Sequence, residues 1–87
     1  MQHATTEYVQ ALIGPLIPGG LRKIDDALGA SELRITVVVA TASAKSKVIG
    51  RGGENIHAIQ HLANERQHRD DPALKVRIDV ILGGGER

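Results

Sequence analysis

The sequence predicts a two-layer α+β domain, a three-stranded sheet with helices over one face. Three observations point there. Two β-branched runs, residues 33–39 and 75–82, alternate apolar and polar side chains as half-buried strands do. Apolar residues recur at helical spacing before and between those runs. Clusters of glycine and proline cut the chain into pieces of ordinary element length.

The first helix is expected to be capped by Thr5 or Thr6 and to carry Val9, Leu12, Ile13 and Leu16 on one side. Gly14-Pro15 weakens its end and Pro18-Gly19-Gly20 stops it. Leu21 to Leu28 reads as an edge strand, with a ragged helical turn as the alternative. Ile24 stands there among charges, and Arg22 and Asp26 share its face if the segment is extended. Gly29-Ala30-Ser31 gives a turn. A strand follows with Leu33, Ile35, Val37 and Val39 on one face and Arg34 and Thr36 on the other.

A short helix from Ala42 to Ile49 comes next, then a glycine turn, then a longer helix from Glu54 to about Gln67. Ile56, Ile59, Leu62 and Ala63 form its apolar face. In the last strand Val76, Ile78, Val80 and Leu82 are expected to point inward, and Lys75, Arg77 and Asp79 outward. The reading is one domain over residues 1–82 and a flexible tail over 83–87.

Composition excludes several classes of function. There is no cysteine, so disulfides, thiolate metal sites and cysteine nucleophiles are absent. Tyr8 is the lone aromatic, which argues against nucleic-acid modules that stack bases on exposed rings. The first residues, Met1 to Glu7, lack a basic segment followed by an apolar one, and no apolar run approaches the ~18 residues of a membrane span. A cytoplasmic protein with no membrane association is the expectation.

Charge is distributed unevenly. The net charge is +1, but residues 34–53 carry Arg34, Lys45, Lys47 and Arg51 with no acid, while the segments on either side are net negative. A concentrated patch on a near-neutral chain points to a local anion site. It coincides with Lys47-Val48-Ile49-Gly50-Arg51-Gly52-Gly53-Glu54-Asn55-Ile56. Glycines there permit backbone angles closed to other residues and a close approach of another chain. Amides at the start of the next helix favour an anion.

This stretch resembles the signature of the KH domain: isoleucine, glycine–any–any–glycine, two residues, isoleucine. Here it is Ile49, Gly50-Arg51-Gly52-Gly53, Glu54-Asn55, Ile56. The order helix, strand, strand, helix, turn, helix, strand matches the type II arrangement, and the resemblance spans roughly residues 5–82. Ser46-Lys47-Val48-Ile49-Gly50 and Ala58-Ile59 fit the small stand-alone bacterial KH proteins of the KhpA kind.

The resemblance implies a non-enzymatic RNA-binding protein, a post-transcriptional regulator or RNA chaperone. It would hold about four unpaired nucleotides in an aliphatic groove beside the turn. Lys47, Gly50, Arg51, Gly52 and Gly53 would meet the phosphate backbone, and Val48, Ile49 and Ile56 the bases. Arg77 and the Gly29–Ser31 loop are lesser candidates. Single-stranded RNA is the implied ligand, with single-stranded DNA as an alternative. A homodimer, or a heteromer with a larger KH-containing protein of the Jag/KhpB type, is the implied assembly. Glu54 departs from the pattern, since many relatives are neutral or basic there.

Other readings weigh less. A dimerisation or docking module with little nucleic-acid binding is the alternative function, motivated by the low net charge and Glu54. His57 and His61 have metal-ligand spacing, but with His68, Glu54 and Glu65 they lie opposite the apolar helix face, where solvated residues belong. Arg34 and Arg77 read as solvated strand residues. The turn lacks the Gly-Lys-Ser/Thr ending of a P-loop, and Ser43 and Ser46 have no recognisable base. No enzyme, cofactor or metal is expected.

Overall fold

The computed structural model describes residues 3–83. The expected tail, 83–87, lies outside the described residues apart from Gly83. The order is α1 (Ala4–Ile13), β1 (Leu21–Leu28), β2 (Glu32–Val39), α2 (Ala42–Ile49), α3 (Glu54–Asp70) and β3 (Lys75–Leu82). The sheet order is β1-β2-β3, with β1 antiparallel and β3 parallel to the central β2. The protein is a small α+β domain with a mixed three-stranded sheet.

Alternation on β2 sets the layers. Leu33, Ile35, Val37 and Val39 are buried together with Val76 and Ile78 of β3 and Ile24 of β1. Val9 and Ile13 of α1, Ala44 and Val48 of α2, and Ile59 and Ala63 of α3 close over them. The opposite sheet face is open. Each strand carries a neighbouring ion pair there, Lys23–Asp25 at 3.3 Å, Glu32–Arg34 at 3.3 Å and Arg77–Asp79 at 3.7 Å.

The segment from Leu21 to Leu28 is an edge strand. A register shift between Leu21 and Lys23 leaves Arg22 exposed, away from the core. Asp26 stays on the packed side because α1 supplies its donors. The Thr6 hydroxyl donates to it at 2.5 Å and the His3 amide at 2.9 Å.

Five expectations need correction. Neither Thr5 nor Thr6 caps α1; His3 does, its Nδ1 accepting from the Thr5 amide at 3.1 Å. Both threonines are fully buried within the helix, and the Thr5 hydroxyl donates to Gln67 Oε1 at 2.5 Å. Leu16 is 40 % exposed, because the 3₁₀ turn at Gly14–Leu16 rotates it outward and buries Ile17 instead. Leu62 is also turned out, since α3 seats through Ile59, Ala63 and Gln67.

Helix α3 runs to Asp70, beyond the expected Gln67. Asp71 precedes Pro72 and takes an extended conformation, which stops the helix there. Finally, Leu82 is exposed and Val80 only half-buried, against the expectation that both point into the core.

The Thr6 hydrogen bond, helped by the His3 amide and opposed by partial burial, holds the Asp26 carboxyl below its ordinary 3.8. A depressed carboxyl stabilises the fold above that ordinary value, and the stabilisation is lost as pH falls through the folded value. Thr6→Val should therefore destabilise the domain by about 1–2 kcal/mol at neutral pH. It should also shrink the part of the stability lost between about pH 5 and pH 2, measured by urea denaturation across that range.

Candidate functional site

The glycine turn sits where α2 and α3 meet. Thr41 caps α2, its hydroxyl accepting from the Ala44 amide at 3.0 Å, so the helix begins directly after β2. Eight residues at about 1.5 Å each place the turn within about 12 Å of the end of that strand. At the far side Asn55 reaches back, its Nδ2 donating to the Lys47 carbonyl at 2.9 Å. One side chain of α3 thus satisfies an orphan carbonyl of α2 and fixes the angle between the helices.

The glycines differ in what they do. Gly50, at φ +79° and ψ 175°, occupies a region closed to residues with a side chain. A Cβ there would also lie 2.8 Å from the Asn55 amide nitrogen. Gly52 and Gly53 are left-handed, at φ +63° and +82°, and a Cβ on Gly52 would meet open space. The turn closes with Gly53 N–H donating to Gly50 at 3.2 Å and Glu54 N–H to Arg51. The amides of Arg51 and Gly52 begin this 3₁₀ turn and find no carbonyl among the described residues. Arg51, Gly52 and Lys47 are exposed, and Glu54 stands exposed beside them.

Beside the turn, Ile49 and Ile56 are half-buried, with part of each side chain at the surface. Val48 differs. It is fully buried in the core, so no base can touch it, and it supports the site from beneath.

The position of α3 against the sheet comes from its polar residues. Gln60 donates to the Val76 carbonyl and accepts from the Ile78 amide at 2.9 Å. Asn64 accepts from the Val76 amide at 2.9 Å and donates to the Val76 carbonyl at 3.2 Å. These are outward-facing backbone groups of β3, since alternate residues address β2. The helix thereby closes the first half of an edge strand. One turn earlier along α3, helix rise and strand spacing together put Ile56 level with Val80 and the glycine turn level with Leu82. At that end the edge groups of Val80 and Leu82 find no partner among the described residues.

The site therefore comprises Lys47, Ile49, Gly50–Gly53 and Ile56. By that spacing Val80 and Leu82 border it, residues that strand alternation alone assigns to the core. Their signal was position: they end the strand, beyond the part whose edge Gln60 and Asn64 cover.

Other candidates lie elsewhere. Arg34 and Arg77 are register neighbours on the open sheet face, Arg34 paired with Glu32 and Arg77 with Asp79. The Gly29–Ser31 loop adjoins the start of β3, through Lys75 N–H donating to Ser31 at 3.0 Å, about 23 Å of strand from Leu82. Tyr8 packs under the Arg66 guanidinium, 5.2 Å from its ring centre. His61 contacts Glu65 at 3.4 Å, and among the described residues no three His, Asp or Glu side chains could hold a metal. No described helix is long and apolar enough to cross a membrane. No protein-family model matches the chain, and no curated protein matches it.

Two variants separate the roles of the glycines. Gly50→Ala should cost about 2–3 kcal/mol and lower the melting temperature by about 10–20 °C. Gly52→Asn should lower it by less than about 5 °C, because asparagine tolerates left-handed backbone and the space is open. Thermal unfolding followed by circular dichroism makes the comparison.

Proposed function

We propose that this chain is a KH domain of type II that binds single-stranded RNA without catalysing a reaction, as a post-transcriptional regulator or RNA chaperone. The observation that carries the reading is the turn. It combines a Gly-only backbone at Gly50, amides at Arg51 and Gly52 with no partner among the described residues, and the exposed cations Lys47 and Arg51. Such a surface suits a phosphodiester: amides and cations for the phosphate oxygens, and no side-chain bulk at Gly52 to hold the chain off. The parallel pairing of β2 with β3, and the order of the elements, support the type II arrangement.

The bases would lie toward Ile49, Ile56 and Leu82. Aliphatic contact replaces aromatic stacking, which suits a chain whose single ring is engaged with Arg66. The open edge at Val80 and Leu82 offers backbone donors and acceptors to base edges. Backbone contacts set position and salt dependence, and base contacts add a modest preference. One short groove binds weakly, so a second copy or a larger KH-containing partner would raise avidity.

Replacing Arg51 and Gly52 together with Asp puts negative charge where phosphate would sit. The space at Gly52 is open, aspartate tolerates its left-handed backbone at a small cost, and Arg51 is exposed, so the fold survives. Titration of unpaired RNA oligonucleotides, with DNA of the same sequence in parallel, should show at least about a tenfold loss. The slope of log K against log salt should also fall by about 0.7 for the lost cation. Equal affinities for both proteins would remove the turn from the mechanism.

A further inference from the structure

We propose that the cleft between the second half of α3 and the start of β3 is a second nucleic-acid subsite. It would take a phosphate of the same strand beyond the nucleotides held at the glycine turn. The cleft has a volume of about 690 Å³, within the usual range of ligand sites. Arg69 and Lys75 line it with His61 and His68, and Leu74 and Pro72 give it an apolar wall. Glu65, the acid in its lining, lies 3.4 Å from His61, so the lining carries two fixed cations against one acid.

Charge is segregated at this end of the molecule. Asp70 and Asp71, the adjoining residues, line a different cleft of about 530 Å³ with His3 and Gln67. Arg69 and Lys75 therefore face their cleft without those two acids. Cations and imidazoles beside an apolar wall suit a phosphate with its ribose or base.

Placement along α3 selects a strand over other anions. Ile56, Gln60 and Asn64 follow each other at one-turn intervals on the flank that meets the β3 edge, and Asn64 also lines the cleft. His57, His61 and His68 fall within about 40° of one another along the border of that flank. A strand leaving the turn along the flank reaches His61 after about 12 Å and His68 after about 22 Å. The second subsite presupposes that the turn holds nucleic acid; the experiment separates the two.

Arg69→Glu with Lys75→Glu reverses the cleft at two exposed positions. Binding of an RNA tetranucleotide and a nonanucleotide would be followed by amide chemical shifts at physiological salt. In the unaltered protein the longer oligonucleotide should bind more than the about sixfold tighter that its extra registers supply. It should also shift the His68 and Lys75 amides, which the tetranucleotide leaves in place. The reversed variant should lose about tenfold for the nonanucleotide and change less than about twofold for the tetranucleotide, since the cleft lies beyond a screening length from the turn.

An unchanged nonanucleotide affinity in the reversed variant would overturn the second subsite and leave the turn standing. Failure of both oligonucleotides to bind the unaltered protein would overturn the RNA reading itself. Binding of an acidic peptide at the cleft, with no response there to the nonanucleotide, would overturn the nucleic-acid assignment of the subsite.

Discussion

The placement of α3 on the edge of β3 is the constraint from which the rest follows. Gln60 and Asn64 give their amides to the backbone of Val76 and Ile78, in the place where another strand would have paired. Buried backbone groups demand such partners, and a primary amide both donates and accepts. The helix is held at a set height along the strand. That height brings its first residue, and the glycine turn before it, toward the end of β3. Asn55 continues the same device, tying the turn to α2 through the Lys47 carbonyl. Three polar side chains on one helix thus place a segment that has little packing of its own.

Much of this was legible in the residues. The alternation of β2 between buried Leu33, Ile35, Val37 and Val39 and their polar neighbours matches the structure, because one face of a sheet must be apolar. The glycines around Arg51 announced a turn for the same reason that Gly50 requires its backbone angles. What escaped sequence reasoning was polar residues serving as packing. Thr5, Thr6 and Gln67 are buried because they satisfy one another or Asp26 across elements, and periodicity assigns such residues to solvent. Val48 and Ile49 could not be told apart either. In an eight-residue helix, which of two adjacent aliphatics enters the core depends on how the neighbours seat it.

The basic segment illustrates a second limit. Arg34, Lys45, Lys47 and Arg51 are close in sequence, yet Arg34 belongs to the open sheet face while Lys47 and Arg51 flank the turn. A strand separates its two faces by one residue, so net charge along a chain gives no side. Folding also brings together charges that belong to different elements. Lys75 and Arg69, with a proline turn between them, come to line one cleft.

The uncovered sheet face has a consequence of its own. Its three ion pairs join residues two apart on the same strand, so Lys23, Arg34 and Arg77 each have an opposite charge within 4 Å. Viewed from a distance those pairs are short dipoles whose fields decay faster than that of a lone ion. A polyanion drifting past would be pulled weakly from that direction and more strongly from the side bearing Lys47 and Arg51. Were the proposed nucleic acid that partner, the molecule would meet it already turned the right way round, an economy of encounter that requires no additional contact.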